Sequence, residues 1–131
     1  MGPYITDVTN IIYILTIKYF NMSNFRNRVQ LVGHLGQDPE IKTLENGSKV
    51  ASFSIATNDS YTTTKGDKVE NTEWHNVVVW GKLADVVENY ASKGKEIAVV
   101  GKLTHRSYET KEGEKRYVTE VKASEIQLFG K

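Results

Sequence analysis

The chain has 131 residues, of which 39% are hydrophobic and 25% charged, and its formal net charge is +1. That length and composition give one globular domain with a sizeable core and exclude a disordered chain. The absence of cysteine excludes disulfides, thiolate metal sites and a cysteine nucleophile. The near-neutral balance does not announce a nucleic-acid binder, but the field at a groove is set by local charge, so it does not exclude one.

Residues 1–22 read as an extension outside the main domain, which is expected to occupy 23–131. The apolar, β-prone run at 11–17 is too short to span a bilayer and has Asp7 and Lys18 close by. No basic residue precedes it and no small-residue cleavage pattern follows it, so a signal peptide is not expected. The alternative is an additional strand or helix that covers apolar surface or meets a partner subunit.

From Arg28 the pattern is almost entirely strands. The first is expected over 28–36, with Val29, Leu31 and Leu35 facing one way and Gly33 marking a bulge or tight bend. Asp38-Pro39 stops it. A short continuation at 41–44 leads into a hairpin turn at Glu45-Asn46-Gly47-Ser48. The second strand, 49–57, places Val50, Ser52, Ser54 and Ala56 on one side and Ala51, Phe53, Ile55 and Thr57 on the other. Residues 58–71 form a long polar connection with Tyr61 at its base, longer than a hairpin loop needs.

The third strand, Trp74-His75-Asn76-Val77-Val78-Val79-Trp80, has three valines and two tryptophans suited to an extended backbone. Alternation puts Trp74, Asn76, Val78 and Trp80 on one face and His75, Val77 and Val79 on the other. Taken alone, a face with two indoles favours packed core, because aromatics in strands mostly pack. The other reading is a platform for stacking something flat. A helix follows, with Leu83, Val86, Val87 and Tyr90 as its apolar stripe, Lys93 in its last turn and Gly94 just beyond. The fourth strand covers 95–104, a second long hairpin 105–116, and the fifth strand 117–128 with an interruption near Ala123-Ser124.

Three strands, one helix and two strands is the order of an all-β OB-fold: a five-stranded, partly open Greek-key barrel with one α-helix between strands 3 and 4. Internal glycines in the first and fourth strands suit the bends that close a small barrel.

Catalytic chemistry finds little support. His34, His75 and His105 lie on separate segments and form no short metal motif, and no Gly-x-Ser-x-Gly or phosphate-cradling glycine loop is present. Binding finds more. Tyr61, Trp74, Trp80 and Tyr108 recur where an OB-fold presents a groove. Lys65, Lys68, Lys82, Arg106, Lys111, Lys115 and Arg116 lie among them. Cations track a phosphate backbone, and flat side chains stack on unpaired bases. The competing account is that the charges are solvated hairpin faces and the aromatics fill the barrel.

Four segments carry a family resemblance. Leu31-Val32-Gly33-His34-Leu35-Gly36-Gln37-Asp38-Pro39-Glu40, Thr72-Glu73-Trp74-His75, Val78-Val79-Trp80-Gly81-Lys82-Leu83-Ala84 and Arg116-Tyr117-Val118-Thr119-Glu120-Val121 resemble the motifs of bacterial single-stranded DNA-binding proteins. The resemblance runs from about residue 24 to 130. It implies a cytoplasmic, nucleoid-associated homotetramer that wraps single-stranded DNA without reading sequence, in replication, recombination and repair. No cofactor, metal, membrane or catalytic residue is implied. The family's stacking aromatics fall on Trp74, Trp80, Tyr61 and Tyr108, with Tyr in both hairpins where many members have Trp, and Trp80 where many have Phe. Its subunit-contact histidine corresponds to His75, and Tyr90 matches an aromatic position on the helix. Members usually continue into a flexible linker and an acidic tip that recruits other proteins. This sequence stops at Phe129-Gly130-Lys131, which puts recruitment by that route in doubt. Two rivals stand beside this expectation: a primosomal-type OB-fold accessory with a smaller assembly, and a nuclease using the same groove.

Overall fold

The structure, a computed structural model, describes residues 25–130. The expected extension at 1–22, with its apolar run at 11–17, lies outside the described residues. The elements are β1 (Val29–Leu35), β2 (Glu40–Thr43), β3 (Lys49–Thr62), β4 (Lys68–Trp80), α1 (Lys82–Tyr90), β5 (Glu96–Glu109) and β6 (Lys115–Leu128).

The strands pair in the order β1-β5-β6-β4-β3-β2, and a further β1–β3 pairing closes the ring. All neighbours are antiparallel except β4 and β6, which run parallel at Val77↔Val121 and Val78↔Lys122. Five strands, β1, β3, β4, β6 and β5, make the barrel. The short β2 takes up the edge of β3 at Lys49–Ser52, where β1 has left it, so the expected continuation of the first strand is present as a strand of its own. With β2 counted, the helix stands between the fourth and fifth strands in chain order.

The barrel interior takes one parity of each strand. Leu35, Ala51, Phe53, Ile55, Val77, Val79, Ile97, Val99 and Val121 are buried there, joined by Ala84 and Val87 of α1. Full burial of such a valine or isoleucine contributes about 1.5–3 kcal/mol. The predicted alternation of the second and third strands therefore holds, although Val78 of the outer row is also largely covered, 8% exposed. Gly33, expected to mark a bulge or tight bend, makes no bulge: it sits in an unbroken β1–β5 register. Its lack of a side chain serves closure, because a Cβ there would overlap the Ala56 carbonyl oxygen of β3. The true irregularity is in β6: Val100 pairs with Glu125 and Gly101 with Ala123, which leaves Ser124 as the extra residue at the predicted interruption.

The long polar connection at 58–71 and the long hairpin expected at 105–116 are both paired as strands almost to their tips. β3–β4 pairing continues to Thr62↔Lys68 and β5–β6 pairing to Glu109↔Lys115, giving two ribbons beyond the barrel. Threonine and tyrosine suit a pleated backbone, and the ladder satisfies main-chain groups that side-chain polarity says nothing about. Each ribbon ends in the same five-residue turn. Thr63 N–H donates to the Asp67 carbonyl at 2.8 Å and Thr110 N–H to that of Glu114 at 2.8 Å. Gly66 and Gly113 supply the left-handed residue at φ 90° and 86°.

The helix differs from its predicted stripe. Ala84 and Val87 are its buried residues, whereas Val86 and Tyr90 are exposed. It ends at Tyr90, so Lys93 and Gly94 lie in the following turn. There the Lys93 N–H donates to Asp38 Oδ1 at 2.8 Å.

Candidate nucleic-acid interface

The valine-rich β4 decides where the tryptophans go. Val77 and Val79 fill the barrel, and alternation then sends Trp74 and Trp80 outward, 60% and 43% exposed. The face expected from β4 alone to be packed is therefore an outer surface. The β3 register continues it: Val50, Ser52, Ser54 and Ala56 lie opposite Trp80, Val78, Asn76 and Trp74. Small residues along that row leave room for flat rings. At one end the Trp74 indole lies against Gly36, where a Cβ would overlap its six-membered ring.

On the other side of β4 the parallel pairing brings β6 alongside. Lys122 stands next to Val78, and its ammonium lies 5.8 Å from the centre of the Trp80 ring, within cation–π range. The same outer parity of β5 and β6 carries Arg106, Tyr108 and Arg116. Tyr108 pairs with Arg116 across the ribbon, and the Arg106 guanidinium lies 5.9 Å from the Tyr108 ring while its Nε donates to Glu120 Oε1 at 2.9 Å. Arg116 also pairs with Glu114 at 2.8 Å.

Not every predicted residue joins this face. Tyr61 pairs with Val69, and the unbroken register from Ala56↔Trp74 puts it on the opposite side of the β3–β4 ribbon. Lys115 likewise lies on the other side of the β5–β6 ribbon from Tyr108, with its ammonium 5.6 Å from the exposed Tyr117 ring. Lys65 and Lys111 occupy the two ribbon tips. Lys68 opens β4 beside Glu70, and Lys82 opens α1 directly after the Trp80-Gly81 turn. Lys122 and Tyr117 escaped the sequence reading. The signal for Lys122 was the even-numbered outer row of the last strand, legible once Val121 is placed inside.

A clasp holds the helix next to Trp80. Lys49, one residue before the partner of Trp80, binds Asp85 and Glu88 of α1 at 2.7 Å each. Hydrogen bonds to those two carboxylates hold its ammonium above the usual lysine range. The Gly81 N–H donates to the Lys49 carbonyl at 2.9 Å, and Gly81 takes φ 67°, a conformation that favours glycine.

His75 sits on the inner parity of β4, half-buried, with Nε2 2.8 Å from Thr57 Oγ1. Tyr90 is exposed on α1. Among the described residues no group of His, Cys, Asp and Glu could hold a metal ion, and no helix is long and apolar enough to cross a membrane.

The chain that carries this outward face of indoles and cations matches the model of the single-strand binding protein family over residues 26–129. The chain belongs to this family. Family members are binding proteins and not enzymes. The single-stranded DNA-binding protein 1 of Chlorobaculum tepidum is 40% identical over 83% of this chain and 68% of its own length. That of Xylella fastidiosa is 44% identical over 80% of this chain and 78% of its own. The chain spans 60% of the Neisseria meningitidis relative, at 38% identity over 79% of this chain. Among solved structures, the Plasmodium falciparum SSB in complex with single-stranded DNA superposes with a TM-score of 0.71 at 31% identity, covering 79% of this chain and 95% of the other.

Proposed function

We propose that this protein carries out its family's activity, sequence-independent binding and wrapping of single-stranded DNA, on the outer face of β4, β6 and the β5–β6 ribbon. Bases stack on Trp74, Trp80 and Tyr108, while Arg106, Arg116, Lys68 and Lys82 contact phosphates. Tyr61, Lys65, Lys111 and Lys115 extend the contact around and beneath the ribbons as the strand wraps. One observation carries this reading: both tryptophans stand outward on one strand face, 60% and 43% exposed, where a packing role would bury them. A duplex keeps its bases stacked on one another and offers indoles nothing to stack on.

The assembly in this reading is a homotetramer, with His75 and Tyr90 at subunit contacts. Its support is the family match together with exposed Val32, Val86 and Tyr90, apolar surface that a partner subunit would cover. The binding unit spans 23–131, with 1–22 outside it. The setting is replication, recombination and repair on nucleoid DNA.

The test is a titration with oligo-dT against a duplex of equal length, followed by tryptophan fluorescence at several salt concentrations. Trp74 and Trp80 are the chain's two tryptophans, so quenching reports on this face alone. The expected result is quenching by the single strand, little by the duplex, and an affinity that falls as salt rises. Quenching that is equal for both, or affinity that is flat with salt, removes the reading.

A further inference from the structure

The β5–β6 ladder contains a pairing that does not serve the fold. Lys102 and Lys122 are directly opposed across it. Like charges placed opposite each other in an antiparallel pair destabilise the sheet. Neither ammonium has a carboxylate within ion-pair distance among the described residues, whereas Arg106, Arg116, Lys49 and Lys68 all do.

Arg28 adds a third cation. It immediately precedes the Val29↔Gly101 pair that begins the β1–β5 ladder. Asn27 fixes this segment, since its side chain replaces the ladder at Leu103: Nδ2 donates to the Leu103 carbonyl at 3.0 Å, and Oδ1 accepts from the Leu103 N–H at 2.9 Å. Arg28, Lys102 and Lys122 line a single open cleft of about 470 Å³ at the β6 bulge, together with Ser124 and one carboxylate, Glu125. That volume is in the range of ligand-sized clefts.

The row then continues to an indole. β1, β5, β6 and β4 are consecutive in the sheet, about 4.8 Å from strand to strand. Arg28, just before β1, and Lys102, Lys122 and Trp80 on the other three strands follow in that order. Lys122 is shared by the cleft and the Trp80 ring. An anion in the cleft and a flat ring on Trp80 would thus lie side by side.

We propose that Arg28, Lys102 and Lys122 form a phosphodiester subsite, in which the single strand whose base stacks on Trp80 passes its backbone across β6 and β5 toward the start of β1. This inference rests on the binding reading above and adds to it a direction for the strand. Polyanion binding there would relieve a repulsion that the free protein bears.

The test is the Lys102→Gln/Lys122→Gln double variant, its oligo-dT affinity followed by anisotropy of a labelled strand across a salt series. Each lost phosphate contact reduces the slope of log affinity against log salt by about 0.7, so the pair should reduce it by about 1.4. Lys102→Arg/Lys122→Arg should restore the slope, and Lys42→Gln, on β2, should leave it unchanged. The thermal midpoint of the double Gln variant should equal or exceed that of the parent, because repulsion is removed. An unaltered slope overturns the subsite, as does a lowered midpoint with a changed assembly mass, which would make the lysines structural. Absence of salt-dependent single-strand binding in the parent protein would instead remove the underlying reading, and the subsite with it.

Discussion

The six-membered ring of Trp74 occupies the space that a Cβ on residue 36 would need, so the more exposed of the two tryptophans packs onto a glycine of another segment. Gly36 lies just past β1, where its N–H donates to the Ser54 carbonyl at 3.1 Å, directly beside the row that carries Trp74. A glycine here is required by the close approach of a ring and not by backbone conformation. Gly36→Ala should therefore displace the indole while leaving the barrel folded. The expected outcome is weaker oligo-dT binding, by less than Trp74→Ala costs, with a thermal midpoint close to that of the parent. Parent-like affinity in Gly36→Ala would mean that the orientation of Trp74 does not matter.

The tryptophans themselves separate binding from packing. Stacking of one base on an aromatic ring is worth about 1–3 kcal/mol by alanine substitution. Trp74→Ala and Trp80→Ala should each weaken binding on that scale, and Phe should cost less because a ring remains. Since both rings stand half in solvent, neither alanine should approach the roughly 3–5 kcal/mol of stability lost when a buried aromatic is truncated. Affinity and denaturant midpoint have to be measured on the same proteins. A well-folded Trp74→Ala protein with full affinity would take Trp74 out of the interface.

His75 points to the inner side of β4 and meets Thr57, beside the buried Val77. His75→Lys puts a desolvated charge at that position and removes the Thr57 bond, so assembly should weaken. Light scattering over a dilution series reads this directly, with a melt on the same sample to confirm folding. A mass that holds constant on dilution, equal to that of the parent, would make His75 a space-filling residue of one subunit.

Gly33 is a tight point of barrel closure, where β1 crosses onto β3. A Cβ there meets the main chain of Ala56, and main chain cannot move aside as a side-chain end can. Gly33→Ala should cost about 1–3 kcal/mol, as overpacking does, read as a lower denaturant midpoint at unchanged slope. Gly47→Ala is the contrast. Nothing lies near its Cβ position, and its cost comes from φ 88° alone.

The amino-acid sequence alone determined which residues share a face. Valine and tryptophan spacing in β4 and the small-residue alternation in β3 set the parities, because side chains of a pleated strand alternate whatever surrounds them. The strand–helix order matched that of an OB-fold and so pointed to the barrel. Which face is covered is a different matter, since it depends on strands distant in sequence. Only the closure of β1 onto β3 and the parallel seating of β6 beside β4 put Val77 and Val79 inside and the tryptophans outside. The same pairings put Lys122 over Trp80, 42 positions apart in the chain, and left Tyr61 and Lys115 on the far sides of their ribbons. That strand pairing runs almost to the tips of the polar hairpin segments was illegible for another physical reason. A ribbon standing clear of the core buries neither face, so its sequence carries no hydrophobic alternation, and only main-chain hydrogen bonds reveal it as strand.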